Sequence, residues 1–454
     1  MGKGKKIGFM LAFSVLVLVV AGLGWFLWGI FEGVKPTLDL KPLPEFLSAN
    51  QKFTITTSDA NRGLRRIQAI VTQEGREVTV AEETFPFIGF SNKEGQHRFE
   101  MEYTVDPEAL SLAQGLVELQ VSVWDYSRRN GGDGNRSIVQ HKMVVDTIPP
   151  ALRAISASHY INVGGTGMVV YETSSDAVET GVYVDDLFFP GYPANDAKGS
   201  GAHACYFALP LDTQGKPAIH LWARDQAGNS ARAGFYYQVR NKRFRSDSIN
   251  VSDGFLNKIL PYFTSVKFEP QATLLERFLK INRDLRRENA DTFYAMRTET
   301  APRQLWEGTW LRLKNAANMA RFGDRRSYFY NGQKIDEQTH MGIDLASLAN
   351  SPVEAANNGR VIFSGPLGIY GTTVVLDHGQ GLASIYSHLS VSHVQKGQEI
   401  AKGAILGLTG QTGLAGGDHL HFGVMVNGIP VNPIEWWDSH WIQDNVTRKL
   451  ALLN

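Results

Sequence analysis

The chain of 454 residues reads as a mainly β protein with one N-terminal membrane helix and a short helical stretch near its middle. Three observations predict this. From about residue 46 to 240, apolar side chains alternate in short runs, as at Val117, Leu119, Val121 and Val123, which is the period of a half-buried strand. Glycine is abundant, with 45 residues crowding toward the C-terminus, and favours turns between short strands. Ile7 to Phe31 carries no charged side chain, and roughly 20 such residues cross a bilayer.

Lys3, Lys5 and Lys6 precede the apolar run and Glu32 follows it. The positive-inside rule keeps residues 1–6 in the cytoplasm, makes 7–31 an anchor in the cytoplasmic membrane and exports the rest. A cleaved signal peptide is the rival reading, but its apolar core spans only about 7–15 residues. Trp25 and Trp28 also sit near the outer end, where interfacial aromatics belong.

Lysines plus arginines equal aspartates plus glutamates, 45 of each. A nucleic-acid partner would need a basic footprint, so none is expected. The single cysteine, Cys205, cannot form an internal disulfide or a thiolate metal cluster. Any metal must be held by His, Asp or Glu.

Residues 32–45 contain Pro36, Pro42 and Pro44 and read as a linker. Two β domains follow, at 46–148 and 149–240. The run Leu119 to Asp125 before Gly134-Asn135 is echoed about a hundred residues later by Ile219 to Asp225 before Gly228-Asn229. Between them lies Asp146-Thr147-Ile148-Pro149-Pro150, a double proline that no central strand accommodates. This pattern resembles tandem bacterial Ig-like sandwiches. Such modules often serve as spacers or adhesive units, so an envelope protein is a candidate partner.

Residues 241–304 change character. Ser252 is placed to N-cap a short helix ending at Pro261, and a second helix is expected over about 271–289. The second has Leu274, Leu275, Phe278, Ile281 and Leu285 on one side and Arg277, Lys280, Arg283, Arg286 and Arg287 on the other. The basic side reads as a solvated face, with contact to an anionic polymer or lipid surface as the alternative. Residues 305–440 return to β, and 441–454 read as a tail.

Seven of the 12 histidines fall between His340 and His440. His340 and Asp344 flank a glycine turn and can close on one cation. In His419-Leu420-His421, residues i and i+2 of a strand face the same way, so both imidazoles enter one cleft. Tyr386-Ser387-His388 ends another strand. Structural zinc sites use four protein ligands, whereas catalytic ones keep three and leave a position for water.

These motifs resemble the lysostaphin/LytM-type zinc peptidoglycan endopeptidases from about Phe322 to Trp437. The matching residues include Phe322 to Arg326, His340-x-Gly342-Ile343-Asp344, Gly359-x-Val361, Tyr370-Gly371, Asp377-His378-Gly379, Tyr386-x-His388, Gly410-x-Thr412-Gly413, His419 to Phe422 and Val431-Asn432-Pro433. The resemblance implies a small antiparallel β domain in which His340, Asp344 and His421 bind Zn2+. It makes His388 and His419 the catalytic histidines that handle water and the tetrahedral intermediate. The substrate would be a peptide of bacterial peptidoglycan, in the periplasmic space. Asp418 and Gly423 depart from the common pattern, neither at a ligand position. A non-catalytic wall-binding or amidase-activating protein is the alternative.

Overall fold

The computed structural model describes residues 3–194 and 201–453. The protein is mainly β, and it divides into two compact units, residues 1–149 with 227–229, and 150–226 with 230–454.

The first unit begins with the helix Lys3–Ile30, whose stretch Lys6–Ile30 is long and apolar enough to cross a membrane. A two-sheet sandwich follows. One sheet runs Thr37–Lys41, Gln51–Ser58, Arg98–Val105, and the other runs Phe46–Leu47, Arg136–Val145, Gly115–Asp125, Leu64–Gln73, Arg76–Thr84. Val117, Leu119, Val121 and Val123 all point into the core between them. Each such buried side chain contributes about 1.5–3 kcal/mol. The proposed linker is not free chain. Thr37–Lys41 pairs antiparallel with Gln51–Ser58 as an edge strand, and Pro42 ends it because proline offers no N–H to the ladder.

In the second unit two four-stranded sheets build another sandwich. One runs Tyr192–Pro193, Ala202–Ala208, Thr166–Thr173, Leu152–Ala154, and the other Leu187–Pro190, Ala177–Val184, Ile219–Asp225, Ser230–Ala233. The C-terminal β domain is built on the sheet Ala317–Ala320, Ile343–Ala346, Leu420–Val426, Leu382–Leu389, Thr372–Asp377, Gly359–Pro366, Glu399–Ile400, with Ile429–Val431 paired to Leu420–Val426. This domain and the sandwich share one hydrophobic core. Trp306, Trp310 and Trp436 stack edge to face or tilted at 5.1–6.1 Å, and Trp436 meets Tyr206 of the sandwich at 6.1 Å.

In the helical segment the first helix is as expected and the second differs. Ser252 caps Asp253–Ile259, its Oγ accepting from Phe255 N at 3.2 Å. The second helix starts at Leu274, under a capping box of Thr273 and Glu276, and continues to Ala295 through a π-helical stretch at Lys280–Leu285. Its basic side is not uniformly solvated: Arg283 pairs with Asp336 at 3.1 Å, and Arg286 turns inward. Nor is 441–454 a tail. Ser439–Leu453 is helical, buries Ile442 and Val446, and Lys449 Nζ donates to Met168 O of the sandwich at 2.8 Å.

Glu435 lies in the same seam, only 4% exposed. Its carboxylate accepts from Asn162 Nδ2 and Thr166 N, both at 2.8 Å. Burial nevertheless raises its pKa from 4.5 to about 7. The folded state then holds a proton that the unfolded chain has released. This contribution is full below about pH 4.5 and is lost as pH rises through 7. Measured by chemical denaturation, Glu435→Gln is expected to gain about 2–3 kcal/mol on the wild type between pH 4.5 and 8. A constant difference across that window would refute the assignment.

Candidate metal centre

Strand register brings the first two groups together. Ile343–Ala346 pairs antiparallel with Leu420–Val426 so that Asp344 sits opposite His421. Directly opposed residues share a sheet face. The turn at Gly342 delivers His340 beside them, and its Nδ1 donates to Arg321 O at 3.0 Å, which leaves Nε2 free to face Asp344. His340 Nε2 and Asp344 Oδ1 are 3.0 Å apart. His421 Nδ1 lies 2.9 Å from the same oxygen and 3.0 Å from His340 Nε2.

This donor set suits a tetrahedral cation. Ligand atoms on a zinc ion at about 2.0–2.2 Å stand about 3.3 Å from one another, a few tenths of an ångström wider than the observed triangle. His340, Asp344 and His421 form one of the groups whose ligand atoms could hold a metal ion. His421 Nε2 is buried without a hydrogen-bond partner, so no second contact competes for the ring. Asp344 Oδ2 is occupied by Arg326 Nη2 at 3.0 Å, which leaves Oδ1 as the single donor of that carboxylate.

His388 and His419 line the same cleft. Their Nδ1 atoms donate to Thr412 O and Gly417 O, each at 2.8 Å, so both neutral rings turn Nε2 away from the backbone. His419 Nε2 stands 3.6 Å from Asp344 Oδ1, and the His388 and His419 ring centres are 4.8 Å apart. Simple alternation along Leu382–Leu389 would put His388 on the core side with Tyr386. A register shift opposite Thr372 to Val374 inserts one extra residue there, and His388 adopts φ 62°. Bulges re-aim side chains in this way beside functional sites, and a non-glycine residue held at positive φ is paid for by its surroundings.

Burial pushes the His421 imidazole down to about 4 and that of His388 to about 3. Burial acts against ionisation of Asp344, but His340, His419 and His421 outweigh it and hold the carboxyl well below its usual range. His419 is also opposed by burial, yet Asp344 raises it. The centre is therefore a carboxylate among imidazoles, two of which, His388 and His421, are strongly biased to the neutral form.

The remaining histidines stand apart. His378 is fully buried, bonded to Asn358 O at 2.6 Å and Ser384 Oγ at 2.7 Å, and plays a packing role. His393 and His440 are exposed. Sequence reasoning gave no role to two arginines that the fold brings to the cleft. Arg326 orients Asp344. Arg286 lines the cleft from the helical segment and is held by Asn282, whose Oδ1 accepts from its Nη2 at 2.8 Å. The π-helical stretch that places Asn282 leaves no trace in apolar periodicity. Phe255 and Phe278 complete that wall, and the cleft encloses about 240 Å³.

Residues 338–433 match the model of Peptidase family M23, so the chain carries a peptidase M23 domain at its C-terminal end. The DD-carboxypeptidase/endopeptidase Mpg of Neisseria meningitidis serogroup B is 39% identical over 95 residues, 21% of this chain and 22% of that protein. Peptidoglycan DD-endopeptidase ShyA of Vibrio cholerae is 38% identical over 96 residues, again 21% of this chain and 22% of that protein. The matched stretch thus spans about a fifth of these curated relatives. Among solved structures, the catalytic domain of lysostaphin from Staphylococcus simulans is 27% identical at a TM-score of 0.25, covering 29% of this chain and 98% of that one.

Gly342 packs directly against the centre. A Cβ there would come within 2.5 Å of His421 Nε2 and 2.7 Å of Phe422 O. Gly342→Ala should displace His421 and lower the affinity of the triangle for a divalent metal by about tenfold or more, one lost or misplaced donor costing at least about 1.4 kcal/mol. Metal content after dialysis, read by mass spectrometry, checks this; unchanged metal content would refute it.

Proposed function

We propose that this chain is a membrane-anchored zinc endopeptidase that hydrolyses peptide bonds of bacterial peptidoglycan, with the Lys6–Ile30 helix in the cytoplasmic membrane and the β domains on its outer side. The observation that carries the reading is the three-donor triangle of His340, Asp344 and His421 beside two further imidazoles in one cleft. The names of the matched relatives support a D,D cross-link as the bond cut.

In this reading His340 Nε2, Asp344 Oδ1 and His421 Nδ1 hold the zinc. The ion would supply Lewis acidity for water and for the scissile carbonyl. Two neutral imidazoles and one carboxylate leave the site one net positive charge when loaded, which suits a developing oxyanion. His388 and His419 each present a lone pair at Nε2. An imidazole so placed takes the proton from the attacking water and returns it to the departing amine. Arg326 fixes the orientation of Asp344. Arg286 and Arg326 give the cleft a cationic lining, matched to the carboxylates of wall stem peptides.

The test uses the full-length chain in detergent with purified sacculi, and reads released muropeptides by mass spectrometry. Release should require zinc, stop with a chelator and vanish in His421→Ala. His388→Ala should retain zinc while the rate falls about 10²–10⁴-fold, the usual worth of a general acid or base. If His421→Ala released the same fragments at the same rate, the ligand set would be wrong. If the wild type bound sacculi without cutting them, the chain would be a wall-binding or regulatory protein.

A further inference from the structure

Within the first unit, Glu32, Asp59 and Asp125 each place a carboxylate oxygen within 4.8 Å of the other two. Asp59 and Asp125 are 2% and 0% exposed. Among the described residues none of the three pairs with a lysine or arginine. From these groups we infer a calcium site at the end of the first sandwich, where the chain leaves the N-terminal helix.

The two oxygens of Asp59 behave differently. Oδ1 accepts from the backbone N–H groups of Asn61, Arg62 and Gly63 at 3.1, 2.7 and 2.6 Å. Oδ2 is buried and has no partner. A buried anionic oxygen without a donor is costly, and a cation removes that cost. The surroundings of Asn135 point the same way. Its Nδ2 lies 2.8 Å from Asp125 Oδ2, 3.1 Å from both Glu32 Oε1 and Glu32 O, and 3.2 Å from Val34 O. An amide nitrogen carries two hydrogens, so four oxygens gathered on it exceed what it can satisfy. Rotating the carboxamide by half a turn would bring Oδ1 to that point as one more oxygen donor. Burial, with Glu32 beside it, also raises the pKa of Asp125, the response of a carboxylate lacking a counter-ion.

The donor chemistry selects the ion. Every candidate ligand is an oxygen, from carboxylates, backbone carbonyls and one carboxamide, and calcium takes six to eight of these. Zinc prefers nitrogen and sulfur, and magnesium keeps most of its water. Glu32 follows the helix by two residues, whereas Asp59 and Asp125 lie at the ends of sandwich strands. One ion would therefore fasten the chain leaving the helix to two separate loops of the sandwich.

The experiment is equilibrium dialysis of the full-length protein in detergent against radioactive calcium, with zinc kept in the buffer. One calcium per chain is expected, with a dissociation constant of about 10⁻⁴–10⁻³ M, the range of extracellular modules. Asp344→Ala should leave this binding intact, and Asp59→Asn should weaken it about tenfold or more. Asp59→Asn keeps Oδ1 for its three N–H donors and changes only the unpartnered atom, so the calcium-free protein should still fold. Asp125→Asn, which changes the ligand set on the second loop, serves if it does not. Calcium should raise the melting temperature of the first unit in the wild type and not in Asp59→Asn, as ligand linkage requires. No saturable binding up to about 10 mM, ten times the weak end of that range, would overturn the site. So would equal binding in both aspartate variants, or binding lost in Asp344→Ala.

Discussion

The antiparallel pairing of Ile343–Ala346 with Leu420–Val426 is the constraint on which the cleft depends, because it sets Asp344 across from His421. Slipping that register by one residue would turn both side chains to opposite faces. The other parts of the centre are arranged around this pair. Gly342 leaves room for the His421 ring, which a Cβ there would strike, and Arg326 binds the oxygen of Asp344 that the triangle does not use. The hydrogen bonds from His388 and His419 to backbone carbonyls fix which ring nitrogen faces the cleft. Most of the polar partners that orient these rings are backbone atoms, so the precision of the site comes from the sheet.

Much of this was legible in the sequence because it follows from strand period. The alternation at Val117 to Val123 marks a buried sheet face, and the i, i+2 spacing of His419 and His421 puts both rings toward one cleft. His388 was not legible in the same way. Its orientation comes from an inserted residue and a positive φ, and periodicity without the bulge points it into the core. The edge strand Thr37–Lys41 was hidden by its prolines, which signal a linker as readily as the end of an edge. Arg286 reaches the cleft from a π-helical stretch whose Asn282 binds both Arg286 and Asp336, and the Asp336 contact joins segments far apart in the chain. The helical C-terminus was missed because its amphipathic signal is short and its apolar partners belong to another domain.

The two sandwiches contribute differently. The first has a core of its own. The second merges its core with the peptidase domain through Tyr206, Trp306, Trp310 and Trp436, and seals the seam with Glu435 and Lys449. Burial shifts both seam groups toward their uncharged forms: Glu435 is raised and Lys449 is lowered to about 8. At both, desolvation outweighs the hydrogen bonds and favours the uncharged form.

The common tryptophan cluster has a consequence for how this chain can be taken apart. A cut between residues 304 and 305, where composition invites one, would leave the indole of Trp436, on which Trp306 and Trp310 stack, with water on the side that Tyr206 now covers. The peptidase half would then carry a sticky aromatic floor beneath an otherwise complete β domain. Substitutions in the sandwich wall can accordingly disturb the cleft with none of its own residues altered, because the sandwich and the peptidase domain stand on one foundation.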